Sequence, residues 1–313
     1  MRCYKPNVFL ATVSSALNLT VTKGLWRKTS KQWDTILVDE ASMVPEATIV
    51  TMLSRFGDGC FTLIGDSKQL PPYVGVLQIP LAVSLSSQSA LAIANKHESA
   101  PICPIRIVYR PHIEMMRLNS QLFYEGTLQC GTRASRRSNL LDHVRMPNPV
   151  IPVAFIDVPS QSVQSITRSH SNETEALAVN VLVRNLTLHG IQASDIMVIC
   201  LYRDLKMLCE RILRNSGVFV GTVDSAQGSE RSVVIVCTTR TQFEQTNITS
   251  FFTDPRRVNV ALSRAKDGLF VIGAVSALSR LPLWGQIHEW CHVRRLITTL
   301  DFFDPNWTKA PRP

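Results

Sequence analysis

The chain has 313 residues, 45% of them hydrophobic and 18% charged, enough for one or two domains with real cores. No run of about 18 or more apolar residues marks a membrane span, and the polar breaks at Thr12, Ser14 and Ser15 argue against a secretory leader. The net charge is +9, with 24 Arg against 9 Lys, and an Arg-weighted excess suits a polyanionic partner because guanidinium matches phosphate oxygens.

In chain order, short apolar runs bounded by polar residues predict strands at "NVFLATV", "TILVDE", "CFTLIGD", "VAFIDV", "IMVICLY", "VFVGTVD", "SVVIVCTT" and "GLFVIGA". Their continuous apolar character is that of strands covered on both faces of a parallel sheet. Helices fall between them. In "YRDLKMLCERILRNSG", Leu205, Leu208, Cys209, Ile212 and Leu213 share one face and Gly217 is the stop. Another helix starts at Asn172, with Glu175 completing a capping box and Leu177, Val181, Leu182 and Leu186 along it. Alternating strand and helix give an α/β class.

The proline-punctuated "NKHESAPICPI" (Asn95 to Ile105) reads as a linker, dividing the chain into residues 1–100 and 101–313. The basic stretch Gly131 to Pro152 reads as a surface excursion. Eight cysteines without a CxxC pair predict reduced, buried thiols, and five N-x-S/T sequons, at Asn18, Asn172, Asn185, Asn247 and Asn306, read as chance.

Two segments carry chemistry. "TILVDEAS" ends a predicted buried strand in Asp39 and Glu40, where one carboxylate can hold Mg²⁺ and the other take a proton from water. The same pair also suits a helix N-terminus. "FTLIGDSKQLPP" ends another strand in a Gly65-Asp66 elbow, with Gln69 as an amide donor beside those carboxylates. In "DPRRVNVALSRAK", helical spacing puts Val258, Ala261, Leu262 and Ala265 on one face and Arg257 with Arg264 on a second.

"VDEAS", "GDSKQLPP", "IRIVYRPHIEMMRLNSQLFYEGTLQCG", "VGTVDSAQGSERSVVIVCTTRT" and "DPRRVNVALSRAKDGLFVIG" resemble motifs II to VI of superfamily 1 helicases, in order, from about Val8 to Trp290. They are most similar to the branch typified by the nonsense-mediated-decay RNA helicase and its senataxin-like relatives. The resemblance implies two RecA-like parallel-sheet domains using ATP and Mg²⁺ to move along single-stranded RNA or DNA. It implies Asp39 on the metal, Glu40 as base, Gln69 and Asp66 near the γ-phosphate, and Arg264 as an arginine finger with Arg110 as its partner. Tyr109 would stack on adenine, with a core tyrosine as the alternative. Gly228 and Glu230 would lie near the nucleotide, and Thr222 and Ser225 near the nucleic-acid backbone.

The same branch implies a monomer of cytoplasm or nucleus, protein partners in RNA surveillance or silencing, and a 5′-to-3′ polarity. One departure stands out: the sequence has no GxxxxGK[ST] loop, and "KGLWRKTS" (Lys23 to Ser30) lacks the second glycine. The first domain is therefore expected to be truncated at its N-terminal side and ATP turnover to be weak. A non-catalytic nucleic-acid-binding or scaffolding protein is the alternative.

Overall fold

The computed structural model describes residues 7–21, 23, 24, 26, 33–73, 81, 83, 87–97, 100–243 and 252–304. The chain divides into two units, Met1–Cys103 and Pro104–Pro313. Among the described residues no helix is long and apolar enough to cross a membrane.

In the first unit, β1 (Thr35–Val38) and β2 (Cys60–Leu63) pair in parallel, Thr35 opposite Cys60 and Val38 opposite Leu63. The helix Glu46–Arg55 buries Ile49 and Met52 against Val38, Ala41 and Phe56. This sheet is not covered on both faces, contrary to the reading of its apolar runs. Side chains alternate across a strand, so Val38 is buried while Leu37 beside it is 65% exposed.

The expected strand "NVFLATV" is also absent. Val8 to Thr12 is irregular and exposed, and the helix Val13–Leu19 follows. Thr12 caps that helix by accepting the Ser15 N–H at 3.2 Å, a local hydrogen bond that ends any extended run. Of the segment Lys23 to Ser30, only Lys23, Gly24 and Trp26 are described; Asn247 and Asn306 lie outside the described residues.

The second unit opens with two short parallel strands, β3 (Ile107–Val108) and β4 (Gln129–Cys130), joined by the helix Ile113–Phe123. Its centre is built from β5 (Val153–Asp157), β8 (Ile196–Cys200), β9 (Phe219–Thr222), β10 (Arg231–Cys237), β11 (Ala265–Gly273) and β12 (Ile297–Thr299). Between β5 and β8 stands a hairpin, β6 (Val163–Gln164) with β7 (His170–Ser171). The six central strands form one parallel sheet in the order β12-β5-β11-β10-β8-β9.

Here both faces are covered, which is why the strands read as continuous apolar runs. Ala154, Ile156, Ile196, Val198, Val233, Ile235, Phe270 and Ile272 pack with Ala176, Leu182 and Leu186 of the helix Glu173–Leu188 and Leu205 and Cys209 of the helix Arg203–Ile212. The alternate residues, among them Phe155, Met197, Val234 and Leu269, are equally buried on the face carrying the helices Ile113–Phe123, Pro255–Leu262 and Pro282–Val293. Gly217 takes φ +81° four residues after Leu213, serving the turn into β9.

Several expectations are corrected. Asn172 caps its helix by accepting the Glu175 N–H at 3.2 Å, yet Glu175 does not return the bond, so no reciprocal box forms. Its buried carboxylate reaches across to the Thr239 N–H, at 3.0 and 2.9 Å for its two oxygens. Leu177 in that helix is exposed. The stretch Gly131 to Pro152 is no mere surface excursion, because Leu140, Val144 and Met146 enter the core. Among the described cysteines, Cys200, Cys209, Cys237 and Cys291 are buried free thiols, but Cys60 and Cys103 are exposed.

Candidate nucleotide and nucleic-acid site

In the first unit the two predicted segments meet. The Ala41 N–H donates to Ile64 O at 2.8 Å, and a Cβ on Gly65 would come within 3.0 Å of the Ala41 and Ser42 nitrogens. Glycine is what lets the elbow pass so close behind Asp39 and Glu40. Glu40 itself sits at φ 51°, ψ 38°, a left-handed conformation costly for a side chain with a Cβ. Its N–H is received by Asp39 Oδ1 at 2.9 Å, which fixes the first carboxylate at the strand end. Neither carboxylate is a side-chain helix cap: Glu40 precedes the 3-10 turn Ala41–Met43 without such a bond, and Pro45 precedes the helix Glu46–Arg55.

Gln69 donates its amide to Asp66 Oδ2 at 3.0 Å, while Asp66 Oδ1 receives the Lys68 N–H at 2.9 Å. The amide is therefore engaged with the carboxylate of its own turn. Asp39 is an exposed oxygen donor, and hard cations such as Mg²⁺ take one or two carboxylates with phosphate and water completing the shell. The donor set fits that ion without a preformed cage, and no preformed cluster of three ligands occurs among the described residues.

In the second unit, residues far apart in sequence converge at the amino ends of β10 and β11. Arg110 Nε pairs with Glu230 Oε2 across 120 positions, and Lys266 Nζ lies 2.7 Å from Glu230 Oε1. Arg110 Nη1 also reaches Ser263 O at 3.5 Å. The hydrogen bond from Lys266, with Arg110 beside it, holds the Glu230 carboxyl below its ordinary range. Gly228, two residues earlier, has φ +74° with open space where a Cβ would stand, so backbone conformation rather than crowding calls for glycine. A cleft of about 410 Å³ adjoins Glu230, Arg231, Lys266 and Asp267.

Arg264 is placed differently from the helical reading. The helix Pro255–Leu262 ends before it and β11 starts at Ala265, so Arg257 and Arg264 do not share a helix face. Its C-terminal cap is Ser263, whose N–H goes to Asn259 O at 3.0 Å. The register of β11 against β10 claims the chain from Ala265 onward and overrides the helical spacing. Arg257 pairs with Asp224 at 2.8 Å. Arg264 is 2% exposed, its Nε donating to Val260 O at 3.0 Å and its Nη2 to Ser263 Oγ at 2.9 Å. Its guanidinium is thus folded onto the turn whose Ser263 carbonyl Arg110 touches.

Tyr109 is not a core residue, being 63% exposed. Its ring lies over Gly131, and its carbonyl accepts from Thr132 Oγ1 and from Arg137 Nη2 at 3.5 Å.

"VGTVDSAQG" is not a plain loop: Val223–Ala226 is one helical turn. Thr222 and Ser225 form its capping box, with Ser225 Oγ receiving the Thr222 N–H at 2.8 Å. Thr222 lies level with Cys200 at the carboxyl edge of the sheet, whereas Glu230 precedes β10 at the amino edge. Thr222 and Ser225 therefore lie at the sheet edge opposite Glu230. Sequence reading missed Lys266, Gly131 and Ser263; Lys266 lay inside a recognised segment, but its pairing with Glu230 needs the β10–β11 register.

The fold and these clusters define an α/β protein with an arginine-lined carboxylate cluster at one sheet edge. A family model described as an AAA domain matches residues 86–276. The chain belongs to that family, as a superfamily 1 helicase region of the nonsense-mediated-decay branch. An uncharacterised ATP-dependent helicase of Caenorhabditis elegans is 34% identical over 91% of this chain and 18% of its own length. A regulator of nonsense transcripts 1 homologue of Neurospora crassa is 31% identical over 82% of this chain and 24% of its own length. The DNA replication ATP-dependent helicase/nuclease DNA2 of Mus musculus is 32% identical over 95% of this chain and 29% of its own length. The chain thus spans less than a third of each of these relatives.

Proposed function

We propose that this chain is motor machinery of an ATP-dependent helicase acting on single-stranded nucleic acid, its two units being a partial first and a second RecA-like domain. The observation that carries the reading is the convergence of Arg110, Glu230, Lys266 and the Ser263–Arg264 turn, drawn from three separated segments. Ionised carboxylate and guanidinium groups so arranged can exchange partners: incoming phosphate oxygens compete with Glu230 for the Arg110 fork. Tyr109 offers an exposed ring for adenine, and Glu230, held ionised by Lys266, can accept from a ribose hydroxyl.

In the first unit Asp39 would hold Mg²⁺, which when bound supplies positive charge to offset the phosphates. Glu40 would orient and deprotonate water, and Gln69 would exchange its Asp66 partner for a phosphate oxygen. Turnover by this chain alone is expected to be weak, because its sequence holds no GxxxxGK[ST] loop to cradle the triphosphate.

Titration with a fluorescent ATP analogue and Mg²⁺ tests the reading. Wild-type chain should bind, and Arg110→Ala should weaken binding roughly tenfold, the scale for a charge-assisted hydrogen bond. Binding indifferent to Arg110→Ala and Tyr109→Ala would overturn the assignment. Rapid RNA-stimulated hydrolysis abolished by Glu40→Gln would overturn the weak-turnover expectation.

A further inference from the structure

The connection from β5 to the helix Glu173–Leu188 belongs to neither cluster described above. It carries the β6–β7 hairpin, paired Val163 to Ser171 and Gln164 to His170, beyond the carboxyl end of β5. Its base is tied down on several sides. The Ser162 N–H donates to Thr241 Oγ1 at 2.9 Å and the Thr241 N–H returns to Ser162 Oγ at 3.2 Å. The Asp204 N–H donates to Ser169 Oγ at 3.2 Å, and the Asn172 amide bridges to Ser160 Oγ at 2.8 Å and Thr239 O at 3.3 Å.

The tip contrasts with this base. Within it the Arg168 N–H closes a turn on Ser165 O at 2.9 Å, and Arg168 holds φ 62°. Ile166 is 104% exposed, Val163 is 66% exposed, and Thr167 and Arg168 are exposed with them. One exposed aliphatic residue is ordinary. Here it stands at the end of an anchored hairpin, in a stretch from Val158 to Ser171 with five serines, a threonine, an arginine, a histidine and no carboxylate.

That chemistry fits a single strand. Apolar tips rest on base faces, arginine meets phosphate, and hydroxyls bond to backbone oxygens without reading sequence. The same sheet edge carries Thr222 and the turn to Ser225. We propose that Ile166 to Arg168, at the tip of the β6–β7 hairpin, contact single-stranded nucleic acid. This rests on the reading of the chain as nucleic-acid-binding machinery.

The test is fluorescence anisotropy of labelled single-stranded RNA and DNA of matched sequence against the full chain over a salt series. Ile166→Ser should weaken binding about fivefold, the scale for withdrawing a partly buried aliphatic side chain from a base face. Arg168→Gln should reduce the slope of log K against log salt by about 0.7, one phosphate contact. Leu188→Ser, an exposed leucine at the far end of the helix Glu173–Leu188, should change neither. The RNA and DNA arms distinguish which strand is held. Wild-type chain that binds neither overturns the functional reading and the hairpin with it. Wild-type binding unaltered by both tip variants overturns the hairpin alone.

Discussion

The ring of Tyr109 occupies the space where a side chain on Gly131 would begin: a Cβ there would stand 2.3 Å from Tyr109 Cε1 and 2.6 Å from Cδ1. Parallel pairing of β3 with β4 puts the two residues side by side, the Gly131 N–H donating to Val108 O at 2.9 Å. Gly131→Ala should therefore push the ring aside and weaken nucleotide binding about fivefold, for a stacking contact worth roughly 1 kcal/mol. In a Tyr109→Ala background the same substitution should have no further effect. An ATP-analogue titration of both single variants and the double variant reads the coupling directly.

Glu40 holds a conformation that favours glycine. Glu40→Gly should raise stability by about 1 kcal/mol by removing the left-handed cost, while Glu40→Val, β-branched, should lower it by more. Denaturant unfolding followed by tryptophan fluorescence measures both. If Glu40 acts on water, the more stable Gly variant should also be the one without hydrolysis, a conflict between folding and chemistry at one position.

Lys266→Met should let the Glu230 carboxyl rise toward its ordinary range, since the Lys266 hydrogen bond is the largest influence lowering it. The sign follows from linkage: a depressed carboxyl stabilises the fold above its unfolded pKa, and that stability is lost as pH falls through the folded value. Both Arg110 and Glu230 are more than a third exposed, so the global stability change should be small. The proper readout is an NMR titration of the glutamate carboxyl carbons, which should show one resonance moving to higher pH.

Glu175 predicts the opposite slope. Complete burial pushes its carboxyl up to about 8 from an ordinary 4.5, against the lowering influence of the Thr239 N–H. The folded chain thus keeps a proton that the unfolded chain releases, so stability should be greatest below the unfolded value and fall as pH rises toward 8. Full expression of that shift corresponds to a loss on the order of 5 kcal/mol, at 1.36 kcal/mol per unit. Glu175→Gln should flatten the decline. Thermal unfolding from pH 5 to pH 9 compares the two, and parallel profiles would refute the assignment.

Five of the six central strands, all but β12, were legible because both faces of their sheet are covered: unbroken apolar runs have no other use in a chain without membrane-length segments, whereas β12 is three residues long and only partly buried. The helix Arg203–Ile212 was legible for a similar local reason, its apolar spacing. Sequence by itself also determined the order of the motifs, and so the family. Local rules failed where a distant partner competed. Glu175 was expected to cap its own helix and instead serves Thr239, because the buried Thr239 N–H beyond β10 needs an acceptor while Asn172 already serves the helix end. Arg264 was expected on a helix and instead follows its end, because pairing of β11 begins at the next residue. Which carboxylate meets which arginine was equally beyond sequence spacing: Arg110 and Glu230 stand 120 positions apart, the parallel register of β10 and β11 sets Lys266 beside Glu230, and the His112 N–H, donating to Lys266 O at 2.8 Å, carries Arg110 to them.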